Sequence, residues 1–231
     1  MLFAREQALF ENRYDAGSQL ATQLTDYEGQ SVVVLAIPNG GVPVGLEVAL
    51  ALDADLDLVI TRKIPLPLTP EAGFGAVADD GTVILNEEIV NRFGLTPHQI
   101  SYQVNQVRAE IRQRNLLYRK DKPLIAVNGK TVILTDDGLA SGFTMLATVE
   151  SVRRRRPKEV IVAVPTASAG ALDKVEKVAD KVVTLARGTK SRFAVADFYR
   201  YWYDLSDDEV IQCLKEWRMR RFRANIDPPQ E

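Results

Sequence analysis

The chain has 231 residues, 46% hydrophobic and 26% charged, with a formal net charge of −2. That is the balance of a soluble globular protein with one α/β domain, and it argues against a global electrostatic grip on nucleic acid. A single cysteine (Cys213) and a single histidine (His98) rule out an internal disulfide, a thiolate metal cage and a histidine-rich zinc site, and they suit a reducing cytosol.

The N-terminal stretch MLFAREQALFENRYD carries charge throughout and lacks a signal-peptide core. No apolar run approaches the roughly 18 residues of a membrane span. A cytoplasmic protein with no membrane partner is therefore expected. Leu9, Ala16, Leu20 and Leu24 recur at helical spacing and predict a first helix over about 4–24, ended by Gly29. SVVVLAIP (31–38) is a continuous β-branched run, the mark of a strand covered on both faces. A helix over 42–52 follows, with Pro43 in its first turn. LDLVITRK (56–63) reads as a second strand, and 64–82, rich in Pro and Gly, as an irregular loop. Within 78–85, Asp80-Gly81 marks a hairpin turn. Thr96 and Pro97 open a long helix whose buried stripe is Ile100, Val104, Val107 and Ile111. Strands are expected at 131–135, 159–165 and 181–186, with helices at 144–155 and 171–179 between them. A basic amphipathic helix over about 207–223 closes the chain, and the last residues, NIDPPQE, read as disordered. Strands alternating with helices predict a single domain built on a parallel sheet.

The chemistry concentrates where the third core strand ends. VILTDDGLASGFTML (132–146) runs from an apolar strand onto Asp136 and Asp137, then through small residues into a helix. Ligands of open parallel sheets bind beyond the carboxyl ends of the strands, and a helix N-terminus favours phosphate. Ser141 and Thr144 add hydroxyls, and the two acids can accept hydrogen bonds from a diol. Phosphate at one end and hydroxyls at the other describe a sugar phosphate. The plain alternative is a tight strand–helix turn capped by Asp137, but two adjacent acids repel and need a partner. AIPNGGVPVG (36–45) is a second glycine loop, at the end of the first strand. Gly40 and Gly41 let backbone N–H groups close on an oxyanion. Arg62 and Lys63 leave the second strand at its carboxyl end, where either can neutralise a departing anion.

VILTDDGLASGFT resembles the diphosphoribosyl-binding signature of the type I phosphoribosyltransferases, and the likeness extends over roughly 10–212. It implies an open, mostly parallel sheet flanked by helices, with a small hood. By the same resemblance, Asp136 and Asp137 face the ribose hydroxyls of 5-phosphoribosyl 1-diphosphate, and Ala140, Ser141, Gly142, Phe143 and Thr144 hold its 5-phosphate. Asn39, Gly40 and Gly41 then bind the diphosphate, together with Arg62 or Lys63. Many members carry a basic residue where this chain has Asn39, and in some the peptide before Gly40 is cis. The loop over 64–82 resembles one that closes over the donor. Mg2+ is the implied cofactor, held mainly through the donor with no direct protein ligand expected. The acceptor is implied to be nucleobase-like or otherwise small.

Transferases for 6-oxopurines generally place an aspartate where this chain has Ala140, so adenine, uracil or orotate enzymes are the nearer pattern. The stretch RKIPLP…EAGFGAVADDG…VLNEEIV further resembles a bacterial and archaeal group of phosphoribosyltransferases without an assigned acceptor. The hood is expected over 187–206, where Phe198, Tyr199, Tyr201, Trp202 and Tyr203 either stack on an acceptor or, the favoured reading, pack a helix or a homodimer contact. TAS (166–168) faces the same edge. The basic runs RRRRPKE (153–159) and KEWRMRRFR (215–223) read as helix-end and amphipathic-helix charge. They keep open an alternative in which a relative of this fold binds the donor as a signal while contacting RNA or DNA without turnover.

Overall fold

In the computed structural model, residues 8–67, 69–120, 122–188 and 193–226 are described. Five parallel strands form the central sheet: β1 (Val32–Ala36), β2 (Asp55–Leu58), β6 (Thr131–Thr135), β7 (Glu159–Ser168) and β8 (Lys181–Gly188), in the spatial order β2-β1-β6-β7-β8. The expected open, mostly parallel sheet flanked by helices is the fold observed. β1 and β6 run side by side in register from Val32↔Thr131 to Ala36↔Thr135, so the two loops of interest leave the sheet together. Sheet order reverses at this pair, which makes their carboxyl ends the topological switch point.

The continuous apolar runs exist because both faces of these strands are covered. Val32, Val34, Ala36, Ile133 and Ile161 point to one face, toward α1 (Arg13–Ala21), α2 (Gly41–Ala51) and α7 (Asp207–Ile226). Val33, Leu35, Val132, Leu134 and Val162 point to the other, toward α5 (Phe143–Arg153) and α6 (Ala169–Val175).

Several elements depart from the sequence reading. The first helix starts at Arg13, where the Asn12 side chain accepts from the N–H groups of Tyr14 and Asp15 and so sets the N-terminus. The predicted residues 4–7 lie outside the described ones, and Leu9, placed on the buried stripe, is exposed. The second strand is two elements. β2 stops at Leu58, and the chain crosses into a separate three-stranded antiparallel sheet as β3 (Thr61–Leu66). The stretch 64–82, read as irregular, is mostly β4 (Thr69–Ala78), which pairs with β3 and with β5 (Val83–Leu85). Its Pro-rich composition misled because the register shifts fall around Pro65, where a strand tolerates a residue without an N–H. The Asp80-Gly81 turn is observed, with Gly81 at φ +89°.

A short helix, α3 (Glu87–Arg92), was not foreseen. Asn86 caps it, and Glu87 and Glu88 occupy its first turn. α4 (Pro97–Arg119) has the capping box of Thr96 and Gln99 with Pro97 at its start, as expected. Val104, Val107 and Ile111 are buried, and Ile100 packs against them. α4 and α5 both pack on the small sheet. TAS (166–168) is the end of β7. In the expected hood, 189–192 lie outside the described residues, and Val195–Phe198 form a 3-10 turn. Of its aromatics, Tyr199 is fully buried between Phe10 and Trp202, while Tyr201 and Tyr203 are exposed. On α7, Trp217 packs on the core but Phe222 is exposed. Of the tail expected to be disordered, Asn225 and Ile226 end α7, and 227–231 lie outside the described residues.

Candidate active site

The acid pair and the glycine loop are built against each other. The Ile37 N–H donates to Thr135 O at 2.9 Å, tying the ends of β1 and β6 together. A methyl group on Gly41 would lie 2.7 Å from Thr135 O and 2.8 Å from Asp136 Cα, and one on Gly40 would lie 1.9 Å from Asp137 Oδ2. Only glycine allows this approach. The peptide between Pro38 and Asn39 is cis, one bond earlier than the resemblance implied.

A cavity of about 440 Å³ opens at this edge. Asp136, Arg62, Lys63 and Thr144 line it, with Pro38, Thr61 and Glu110. Four of the predicted site residues therefore converge on one space. Arg62 pairs with Glu110 at 3.2 Å, and the Lys63 ammonium donates to Glu71 O at 2.6 Å. Two helix N-termini, those of α2 and α5, stand at the same edge without a side-chain cap; Gly40 and Gly142 occupy their cap positions. The first N–H groups of α5 are the kind that bind an anion, whereas at α2 Gly41 N–H already donates to Ile37 O at 3.1 Å and Val42 N–H to Asn39 O at 3.2 Å.

The other predicted residues are placed differently. Asp137 does not line the cavity. Its carboxylate accepts from Arg13 Nε at 2.9 Å, and both side chains are largely buried. The Arg13 guanidinium also donates to Tyr203 O at 2.9 Å and lies 3.8 Å from the centre of the Trp202 ring. Tyr199 donates its hydroxyl proton to Asp137 O at 2.6 Å. Ala140, Ser141 and Gly142 form the loop beside the cavity. That loop is fastened to the end of β7 by the Leu139 N–H to Thr166 O, 2.9 Å, and by Ser168 Oγ to Ala140 O, 2.7 Å. Gly142 takes φ +84°, in the left-handed region that glycine favours, to start α5. The Phe143 ring lies beneath Lys174 rather than in the cavity.

Asn39 also turns away from the cavity. Its amide donates to Leu205 O at 2.7 Å and to Asp207 at 3.1 Å, and its oxygen accepts from Arg114 at 2.5 Å. Tyr118 donates to the same Asp207 carboxylate at 2.6 Å. α4 and the start of α7 thus hold the glycine loop.

Burial, reinforced by the neighbouring Asp137 charge, pushes the Asp136 carboxyl well above the usual carboxylate range. Burial raises Asp137 as well, opposed by the Arg13 guanidinium. Asp207 is held below its usual value: hydrogen bonds from Tyr118 and Asn39 and the charge of Arg114 outweigh a desolvation cost that is the largest single contribution.

Arg13, Glu110 and Arg114 were missed from the sequence. The one signal available for α4 was spacing: Glu110, Arg114 and Tyr118 are four residues apart and so share a helix face. Arg13 had no such signal, since its partner lies 124 residues away.

The frame is that of an open-sheet α/β protein whose candidate site occupies the switch point. Residues 7–200 match the phosphoribosyl transferase domain family. Two Mycobacterium tuberculosis proteins, MT0597 of strain CDC 1551 and Rv0571c of strain H37Rv, have names that assign them provisionally to the phosphoribosyl transferases. Each is 37% identical to this chain over 206 residues. The match covers 89% of this chain and 46% of theirs, so the chain spans about half the length of these relatives. The crystal structure of TT1426 from Thermus thermophilus is 34% identical and superposes with a TM-score of 0.73, covering 90% of this chain and 98% of that one. The chain belongs to the phosphoribosyl transferase domain family.

Proposed function

We propose that the protein transfers the 5-phosphoribosyl group of 5-phosphoribosyl 1-diphosphate to a small, nucleobase-like acceptor and releases diphosphate. The observation that carries this reading is the convergence of Asp136, Arg62, Lys63 and Thr144 on one cavity at the uncapped N-terminus of α5. Each has a role in such a transfer. The start of α5, with Ser141 and Thr144, takes the 5-phosphate. Asp136 accepts hydrogen bonds from the ribose hydroxyls, and Asp137, held by Arg13, backs it from outside the cavity. Gly40 and Gly41, with Arg62 and Lys63, take the diphosphate.

The bond from C1 to the diphosphate oxygen breaks ahead of the new bond to the acceptor, so positive charge builds on the ring. The carboxylate of Asp136 stabilises that charge, and the cations of β3 stabilise the leaving group. The β3–β4 hairpin beside the cavity is suited to excluding water, which would otherwise hydrolyse the activated sugar. Tyr199, Trp202 and the adjoining hood adjoin Asp137 on the other side, where the acceptor would enter.

Among the described residues, no three His, Cys, Asp or Glu side chains stand together as a metal cage. A magnesium ion bound chiefly through the sugar diphosphate would find the carboxylates of Asp136 and Glu110 on the cavity wall. Magnesium would supply neutralisation of the diphosphate charge. No helix among the described residues is long and apolar enough to cross a membrane. The test is diphosphate release from donor and Mg2+ across a panel of nucleobases. Turnover with at least one base is expected, and it should be lost in Asp136→Asn combined with Asp137→Asn. Unchanged turnover in that variant overturns the assignment of the acids.

A further inference from the structure

A recess between the C-terminal end of α4 and α7 lies apart from the donor cavity. It measures about 110 Å³ and is lined by Tyr118, Arg119, Lys120, Lys122, Lys215 and Arg218, with Ile211 and Leu214 as its apolar part. No carboxylate among the described residues lines it. Through Arg119 and Lys122 it adjoins a larger groove of about 500 Å³, whose walls include Arg112, Asn115, Leu116 and Leu124, with Asp79 and Asp80.

Most cations of this recess are unengaged by the described residues. Arg119 is committed, donating to both oxygens of Asp57 at 2.9 Å. Among the described residues, Lys120, Lys122, Lys215 and Arg218 have no side-chain hydrogen bond or ion pair. On the same helix α7, Arg220 pairs with Glu47 and Glu216, and Arg221 pairs with Asp53 and Asp55. In the arginine run after α5, Arg153 pairs with Asp180 and Arg154 with Glu150, while Arg155 donates to Ile125 O. Arg112, Arg156, Lys158 and Lys177 are likewise without a side-chain hydrogen bond or ion pair among the described residues, but the recess gathers four such cations around one apolar-based hollow.

Tyr118 adds a second observation. It is buried at the recess wall, and its hydroxyl already donates to Asp207, so it offers the recess a ring rather than a competing acceptor.

We propose that this recess is a second binding site, for a small phosphorylated molecule. The ammonium groups take the phosphate as point charges, and the adjoining groove takes the uncharged rest of the molecule against Leu116 and Leu124, away from Asp79 and Asp80. A small ligand fits better than a nucleic-acid strand, because the cations surround a hollow between two helices in a chain of net charge −2. The site and the donor cavity share one strut. Tyr118 and Asp207 both bond to Asn39, at 3.3 Å and 3.1 Å, in the loop after β1.

The probe is inorganic tripolyphosphate, titrated calorimetrically at about 150 mM salt. Reversal of charge in Lys215→Glu with Arg218→Glu should remove one equivalent of bound probe, or weaken one class of site at least tenfold. Lys122→Ala should weaken the same class even if the reversed pair folds poorly. A control reversal at two exposed lysines elsewhere, Lys158→Glu with Lys177→Glu, should leave binding intact. The proposal is overturned if the recess variants bind as the unaltered chain does, or if the control loses as much. It is equally overturned if single-stranded RNA binds through these residues and tripolyphosphate does not. The readout is binding alone, so it stands or falls separately from phosphoribosyl transfer.

Discussion

Replacing Arg13 by Met isolates the contact that holds Asp137. The pair meets at 2.9 Å with side-chain exposures of 7% and 16%. Removing one partner of such a buried pair costs about 3–5 kcal/mol, because the other charge is left without compensation. The hydrogen bond to Tyr203 O adds about 1 kcal/mol, and the guanidinium stack on Trp202 adds about 0.5–1 kcal/mol. Two effects offset these losses. Methionine keeps most of the buried aliphatic stem. Asp137, already raised by burial, rises further without Arg13 and takes up a proton instead of standing as an unpaired charge. The net expectation is about 3 kcal/mol at pH 7, or a drop in Tm of roughly 6–12 °C for a chain of this size.

Urea unfolding at constant slope is the assay. Combining Arg13→Met with Asp137→Asn should recover most of the loss, since the stranded carboxylate is then gone. The sign with pH also follows. Once the pH falls below the folded-state pKa of Asp137, the carboxyl is neutral with or without Arg13, so the deficit of Arg13→Met should shrink as pH is lowered. A single-variant loss below about 1 kcal/mol, or a double variant no better than the single, would refute the reasoning.

Asp136→Asn should separate stability from activity. The folded chain holds the Asp136 proton to higher pH than the unfolded chain does, so this group's contribution falls as pH rises above the ordinary carboxylate range. The variant should therefore unfold at higher urea than the parent at pH 8, with the gain fading toward pH 4, while diphosphate release drops about 10²-fold or more. Gly40→Ala places a methyl 1.9 Å from Asp137 Oδ2, which Arg13 keeps from swinging aside. Calorimetry should show donor affinity at least tenfold weaker. Arg114→Ala frees Asn39 from α4, and steady-state kinetics should show a raised KM for the donor with a smaller change in kcat. Leu134→Ala, fully buried in β6, should cost about 2–5 kcal/mol in chemical denaturation.

What was legible in the sequence was local. The runs at 31–38 and 131–135 declared strands covered on both faces, and the acids and small residues that follow declared a ligand edge, because both depend on neighbours within a few positions. The β3–β4 hairpin was hidden by Pro65 and by glycines that usually mark loops; strand pairing, not propensity, decides there. Asp137 was expected to face a ribose with Asp136, and adjacency in sequence suggested equal roles. The structure separates them, Asp136 toward the cavity and Asp137 toward Arg13. Asn39 looked like a missing charge, but the guanidinium of Arg114 stands beside it, brought by a helix 75 residues further along. Such meetings are made by packing and leave no local mark.

The clasp around Asp137 has a consequence for how the protein is made. Arg13 lies near the start of the chain and bonds to a carbonyl 190 residues later, and Phe10 bridges Tyr199 as well. Synthesis from the N-terminus completes every strand of the central sheet before Tyr199 and Tyr203 emerge. A nascent chain stalled anywhere short of them carries the acid pair without its cover. Such an intermediate exposes two crowded carboxylates beside an unfilled aromatic seat, which makes it a natural client for a chaperone until the segment carrying Tyr199 and Tyr203 arrives.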